Sequence, residues 1–292
     1  MNETIPTPAG AFWRVFIRIV LVTGTFLLTS LAGSFLARRL GELTGIDNSY
    51  FRLLISSLPS IAAFLTIAAV NGRLKLIFSP RGFFTGLSVG ASILVMALMS
   101  LLTDFYVARE EGFVRLPAED IVFFTLAVFI SAGFREELMF RGLILEAVRS
   151  EFDPRSKKGI YISVAVSAAA FGAIHFLNLT SADVTLKAVT FQALGAFAIG
   201  LLFGAVYVRS GCLLATVFLH GLEDFAGLMP SGVYGQRTLS ESIEQVSVSG
   251  QFQPLIFFGA IALYLLRPSA IDKVVAPVAP PDDSNANCQG QE

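Results

Sequence analysis

Residues 186–208 read LKAVTFQALGAFAIGLLFGAVYV, an apolar stretch whose one charged residue, Lys187, stands at its edge. A helix needs roughly 20 such residues to cross the hydrocarbon of a bilayer. Soluble cores alternate short apolar runs with polar ones, so a run of this length predicts a spanning helix. Ala196, Gly200 and Gly204 recur every fourth residue. They share one helix face, where a neighbouring backbone can approach closely.

Comparable runs lie on either side, at Trp13–Ala37, Phe51–Val70, Phe83–Thr103, Ile121–Val148, Gly159–Leu179, Cys212–Met229 and Pro254–Leu266. Together they predict an all-α, polytopic transmembrane bundle of about eight helices. The last run is the shortest and has the weakest claim to span. The first is too long for a signal-peptide core of roughly 7 to 15 residues and reads as a retained helix. Hydrophobic residues make up 54% of the chain and charged residues 15%, well below the roughly 25% charge of a soluble domain. A net charge of −1 with no basic stripe excludes nucleic acid as a partner. Cys212 and Cys288 form no disulfide framework.

The organisation follows from these runs. Residues 1–12 form an N-terminal segment, 13–267 a single transmembrane domain, and 268–292 a tail whose Pro277, Pro280 and Pro281 predict disorder. A polar connection, Ser231–Gln253, joins the last two runs, and no internal repeat is visible. Twelve Lys and Arg residues, among them Arg14, Arg73, Lys157, Lys158 and Arg267, fall on the side of the amino terminus, and seven fall opposite. The excess places both termini in the cytoplasm.

Against this background some residues are out of place. A charge at mid-bilayer costs roughly 2.5 to 3.5 kcal/mol on insertion scales, which makes it a functional candidate. The fourth run contains Gly133-Phe134-Arg135-Glu136-Glu137-Leu138-Met139-Phe140-Arg141-Gly142. Glu137 and Arg141 are spaced i,i+4 and can pair on one helix face, while Glu136 points about 100° away and is left free. The competing reading is a solvated helix end, which Glu146 favours and the apolar residues 143–145 oppose. Both histidines of the chain lie in apolar runs, His175 after Phe171-Gly172-Ala173-Ile174 and His220 after Val217-Phe218-Leu219. Asp224 stands i,i+4 from His220 and can orient its imidazole, and Asn178 stands i+3 from His175 as an amide donor. At about 1.5 Å rise per residue, Glu136 and His220 fall near the centres of their runs and His175 roughly 9 Å toward one end.

A Glu beside a His in a cavity within lipid can hold and deprotonate water, and a second imidazole can donate to the oxyanion formed when that water attacks an amide. Hydrolysis is the natural reaction class. Two axial histidines of a haem are an alternative, but they leave Glu136, Glu137 and Arg141 without a purpose. A proton-coupled transporter is another, although no broken-helix pair is visible.

The run Glu136-Glu137-x-x-x-Arg141, followed by Phe171-x-x-x-His175 and His220-x-x-x-Asp224, resembles the CAAX protease and bacteriocin-processing family of intramembrane endopeptidases. These are relatives of the Ras-converting prenyl protease. The resemblance covers a motif-bearing core at residues 119–230. It implies an eight-helix bundle with a water-filled cavity open to one membrane face, with Glu136 and His175 activating water. It further implies that Glu137 and Arg141 shape the site, and that His220 and the residue four positions on form the oxyanion pocket. At that last position the family commonly has Asn and this chain has Asp224, an acid that must pair with His220 or hold a proton. The implied partners are membrane lipid and a peptide or protein substrate, lipidated or membrane-embedded, in a bacterial or archaeal cell membrane. No cofactor is required by the water mechanism. The alternative is zinc held by Glu136, Glu137, His175 and His220. A protein of the same fold that binds a partner or confers immunity without cutting is the non-enzymatic reading.

Overall fold

The computed structural model describes residues 8–153, 156–180, 184–244 and 248–275, all helix and connection with no strand among them. In chain order the elements are α1 (Pro8–Thr44), α2 (Ser49–Val70), the single turn α3 (Leu74–Ile77), α4 (Phe83–Val89), α5 (Ala91–Glu110) and α6 (Ala118–Ala127). The helix continues from α6 as two π-helical segments, π1 (Val128–Glu136) and π2 (Leu138–Leu145), and closes as α7 (Glu146–Arg149). Then come α8 (Lys157–Ile174), a 3-10 turn (His175–Thr180), α9 (Leu186–Ser210), α10 (Leu213–Gly232), α11 (Leu239–Glu244), α12 (Val248–Leu265) and α13 (Pro268–Val275).

The all-α polytopic class is as the sequence predicts. Among the described residues five helices are long and apolar enough to cross a membrane, or six if α12 and α13, bent by 55°, are one span. The π-wound helix carries Arg135, Glu136, Glu137, Arg141 and Glu146, and α10 carries His220, Glu223 and Asp224, so these two lack the uniform apolarity of a simple span. Boundaries move as well. The first helix starts at Pro8, the third run divides at Gly90, and the last begins at Val248 inside the expected polar connection. Residues 268–275 are helical rather than disordered because Ala270 and Ile271 bury themselves in the bundle and Asp272 pairs with Lys157 at 2.5 Å. The remainder of the tail, with Cys288, lies outside the described residues.

The helix that the sequence singles out is the centre of the bundle. Within α9, 61% of the most apolar window is buried, against 6% for α1. A side chain on Gly204 would meet Val164 at 2.9 Å, and one on Gly200 would meet Ala168 at 3.2 Å. These glycines are what let α9 lie against α8. The outer helices present Leu28, Leu31, Phe35, Phe84 and Leu263 outward, as an integral membrane protein does toward acyl chains.

Ion pairs fix the end of the π-wound helix. Arg73 reaches Glu146 at 2.9 Å, and Glu151 accepts from Arg14 at 2.6 Å and pairs with Arg18 at 3.0 Å. The hydrogen bond from Arg14 is the main reason that the Glu151 carboxyl sits below its ordinary value of 4.5. A carboxylate lowered in the folded state adds stability above its ordinary value and loses it as pH falls through the lowered one. Arg14→Gln is therefore expected to lower the thermal midpoint by a degree or two at pH 7, a difference that closes toward pH 3. Unfolding scans of both proteins across that range check it.

Candidate active site

The charged segment lies where two backbones touch. A Cβ on Gly133 would come within 2.9 Å of the Val217 carbonyl oxygen and 3.4 Å of Gly221, so only glycine lets π1 pack this closely on α10. Widened π turns are rare and concentrate at functional sites. Here they span the segment that carries Glu136, Glu137 and Arg141.

Glu137 and Arg141 are fully buried, and Arg141 donates from Nη1 to Glu137 Oε1 at 2.7 Å. Its Nη2 donates to the Gly200 carbonyl on α9 at 3.0 Å. The guanidinium lies 4.9 Å from the ring centre of Phe171 and 5.2 Å from that of Phe203. Such flanking rings favour a desolvated cation. The same Glu137 Oε1 lies 2.9 Å from His220 Nδ1 on α10. A carboxylate can only accept, so Nδ1 carries a proton and Nε2 faces the other way. There His220 Nε2 is 3.6 Å from Asp224 Oδ2, within ion-pair reach and matching the pairing expected one turn along. The imidazole also stacks on Phe203 at 4.8 Å.

His175 occupies the hinge where α8 tightens into the 3-10 turn. Its Nδ1 lies 2.8 Å from the Phe171 carbonyl oxygen. A carbonyl accepts only, so Nδ1 is the donor here, and in the neutral ring it is Nε2 that carries the lone pair a base requires. The Phe171 ring joins the two histidines, edge-on to His175 at 5.2 Å and to His220 at 5.5 Å.

Several expected arrangements differ. Glu136 is not free: its carboxylate pairs with Arg135 at 3.5 Å, and no hydrogen bond among the described residues links it to His175. Asn178 donates to Gln192 on α9 at 2.8 Å, so its amide is held by a neighbouring helix and not by His175. Gly200 and Phe203 complete the site without any chemical signature of their own. The small-residue face through Gly200 was their only trace in the sequence.

Cavities of about 540 and 250 Å³ lie where α2 and α6 begin and α10 ends, lined in part by Tyr50, Asp120, Ser231 and Arg237. Neither is lined by Glu136, Glu137, His175 or His220. Among the described residues no three His, Cys, Asp or Glu side chains group so as to hold a metal ion.

Residues 118–226 match the family described as Rce1-like, the type II CAAX prenyl endopeptidases. No curated protein and no solved structure matches the chain.

Proposed function

From the premise that this chain is a relative of the Rce1-like CAAX prenyl endopeptidases, we propose that it hydrolyses a peptide bond with water activated by Glu136 and His175 between its helices. A water proton passes to that pair and the water oxygen adds to the amide carbonyl. His220, oriented through Nδ1 by Glu137 and held as the imidazolium beside Asp224, donates from Nε2 to the resulting oxyanion. Collapse of the intermediate breaks the C–N bond, and the proton held by the Glu136/His175 pair goes to the leaving amine. Glu137 and Arg141 take no proton. Their buried pair fixes His220, and the metal-free scheme needs no further ligand.

The observation that carries this reading is the pair of imidazoles, each with its Nδ1 engaged and its Nε2 free of that bond, bridged by one Phe171 ring. The substrate is a peptide or protein, lipidated or embedded in the bilayer.

The test is digestion of a peptide mixture by the purified protein in proteoliposomes made in ¹⁸O-labelled water. New fragments with one heavy oxygen on the fresh carboxyl are expected. Intact peptides throughout, together with peptide uptake driven by a proton gradient, would replace hydrolysis by transport. Intact peptides with tight binding would favour the non-cutting reading.

A further inference from the structure

Of the four ionisable residues between 135 and 141, Arg135 has no part in the chemistry above. A guanidinium this deep in a helical bundle is expensive and calls for a reason. Its side chain is only 11% exposed, and its Nε is buried without a hydrogen-bond partner. One terminal nitrogen reaches Glu136 Oε1 at 3.5 Å, and the guanidinium carbon lies 5.3 Å from the ring centre of Phe26 on α1. The Nε of Arg141, six residues on, is unpartnered too, but its guanidinium is otherwise engaged by Glu137, a carbonyl and two rings. Arg141 and His220 are both committed to Glu137, which leaves Arg135 as the cation that faces Glu136 at hydrogen-bond distance among the described residues.

We infer that Arg135 is a positioning residue: seated against Phe26 of α1, its guanidinium holds the Glu136 carboxylate in place for water activation. The inference rests on the reading of Glu136 as the base. It adds a helix outside the matched residues 118–226 to the working site, since Phe26 lies on α1. The contact is at the long limit of a hydrogen bond, so the carboxylate is steered without being locked away from water.

The experiment uses the full chain in proteoliposomes. Arg135→Met is expected to lower kcat about tenfold to a hundredfold, the cost of misplacing a reacting group by an ångström or so, with KM within about twofold. Arg135→Lys, which keeps the charge and loses the planar fork, is expected to recover part of that loss. Phe26→Leu is expected to show a smaller fall in kcat of the same kind. Wild-type kcat in Arg135→Met overturns the inference. So does a loss that tracks a fallen thermal midpoint equally in the Met and Lys variants, which marks a structural role.

An arm independent of activity compares the thermal midpoints of Arg135→Met, Glu136→Gln and the double variant. A shift of a few degrees for Glu136→Gln that disappears in the Arg135→Met background is expected of a coupled pair. Strict additivity overturns the pairing. A wild-type protein that cuts nothing removes Glu136 as a base and the positioning role with it, while the unfolding cycle still decides whether the pair exists.

Discussion

Glu136→Gln is expected to lower kcat by about 10² to 10⁴, the range that a positioned general base supplies, while the protein still purifies as a folded bundle. The amide matches the carboxylate in shape and can still accept from Arg135, so the side chain stays in place. It cannot take a proton from water. Because the lost interaction belongs to the chemical step, KM should hold and kcat should carry the fall. Peptide cleavage kinetics on wild type and variant, matched by monodisperse elution and helical circular dichroism, check the prediction. Undiminished turnover would remove Glu136 from the reaction and leave the buried Glu137 group without a partner in catalysis.

The second large effect concerns stability. Glu137→Leu leaves the fully buried Arg141 facing Phe171 and Phe203 without its carboxylate, and it takes the acceptor from His220 Nδ1. Breaking a buried pair by removing one partner costs about 3 to 5 kcal/mol, because the surviving charge stays in a low-dielectric interior. That is a large share of the roughly 5 to 15 kcal/mol by which a domain is stable. The variant is therefore expected to unfold well below the wild-type midpoint in denaturant. Replacing both partners, Glu137→Leu with Arg141→Met, removes the pair without stranding a charge and is expected to regain most of that stability. It should not regain activity, since His220 is still without its acceptor. A double variant as unstable as the single one would show that the pair is not the source of the effect.

How far the sequence reveals this site can be read residue by residue. The Glu137–Arg141 pair follows from i,i+4 spacing alone, and the His220–Asp224 approach follows from the same rule on α10. Both are local, and local geometry survives a change of context. The bond from Glu137 to His220 joins residues 83 positions apart. It depends on how π1 and α10 are rotated against each other, which no spacing encodes. The same holds for Arg141 and the Gly200 carbonyl. Spacing is silent where a partner comes from another helix or from the adjacent residue: Asn178 meets Gln192 on α9, and Glu136 meets Arg135. The fold class was readable because a long apolar run has few alternatives to a bilayer. The number of spans was less so, because the helices that carry the chemistry give up apolarity to carry it. Residues 268–275 fold against α8 and α9 through Ala270 and Ile271, a contact that the proline-rich composition beyond them conceals.

The chain has two histidines, so histidine-selective ¹⁵N labelling in bilayers resolves both imidazoles with little ambiguity. The account predicts that one of them, lost in His220→Ala, shows a protonated Nδ1 in contact with a glutamate carboxylate, and that Glu137→Gln abolishes the contact. Two imidazoles with no carboxylate neighbour would contradict the convergence of π1, α8 and α10 on one buried site.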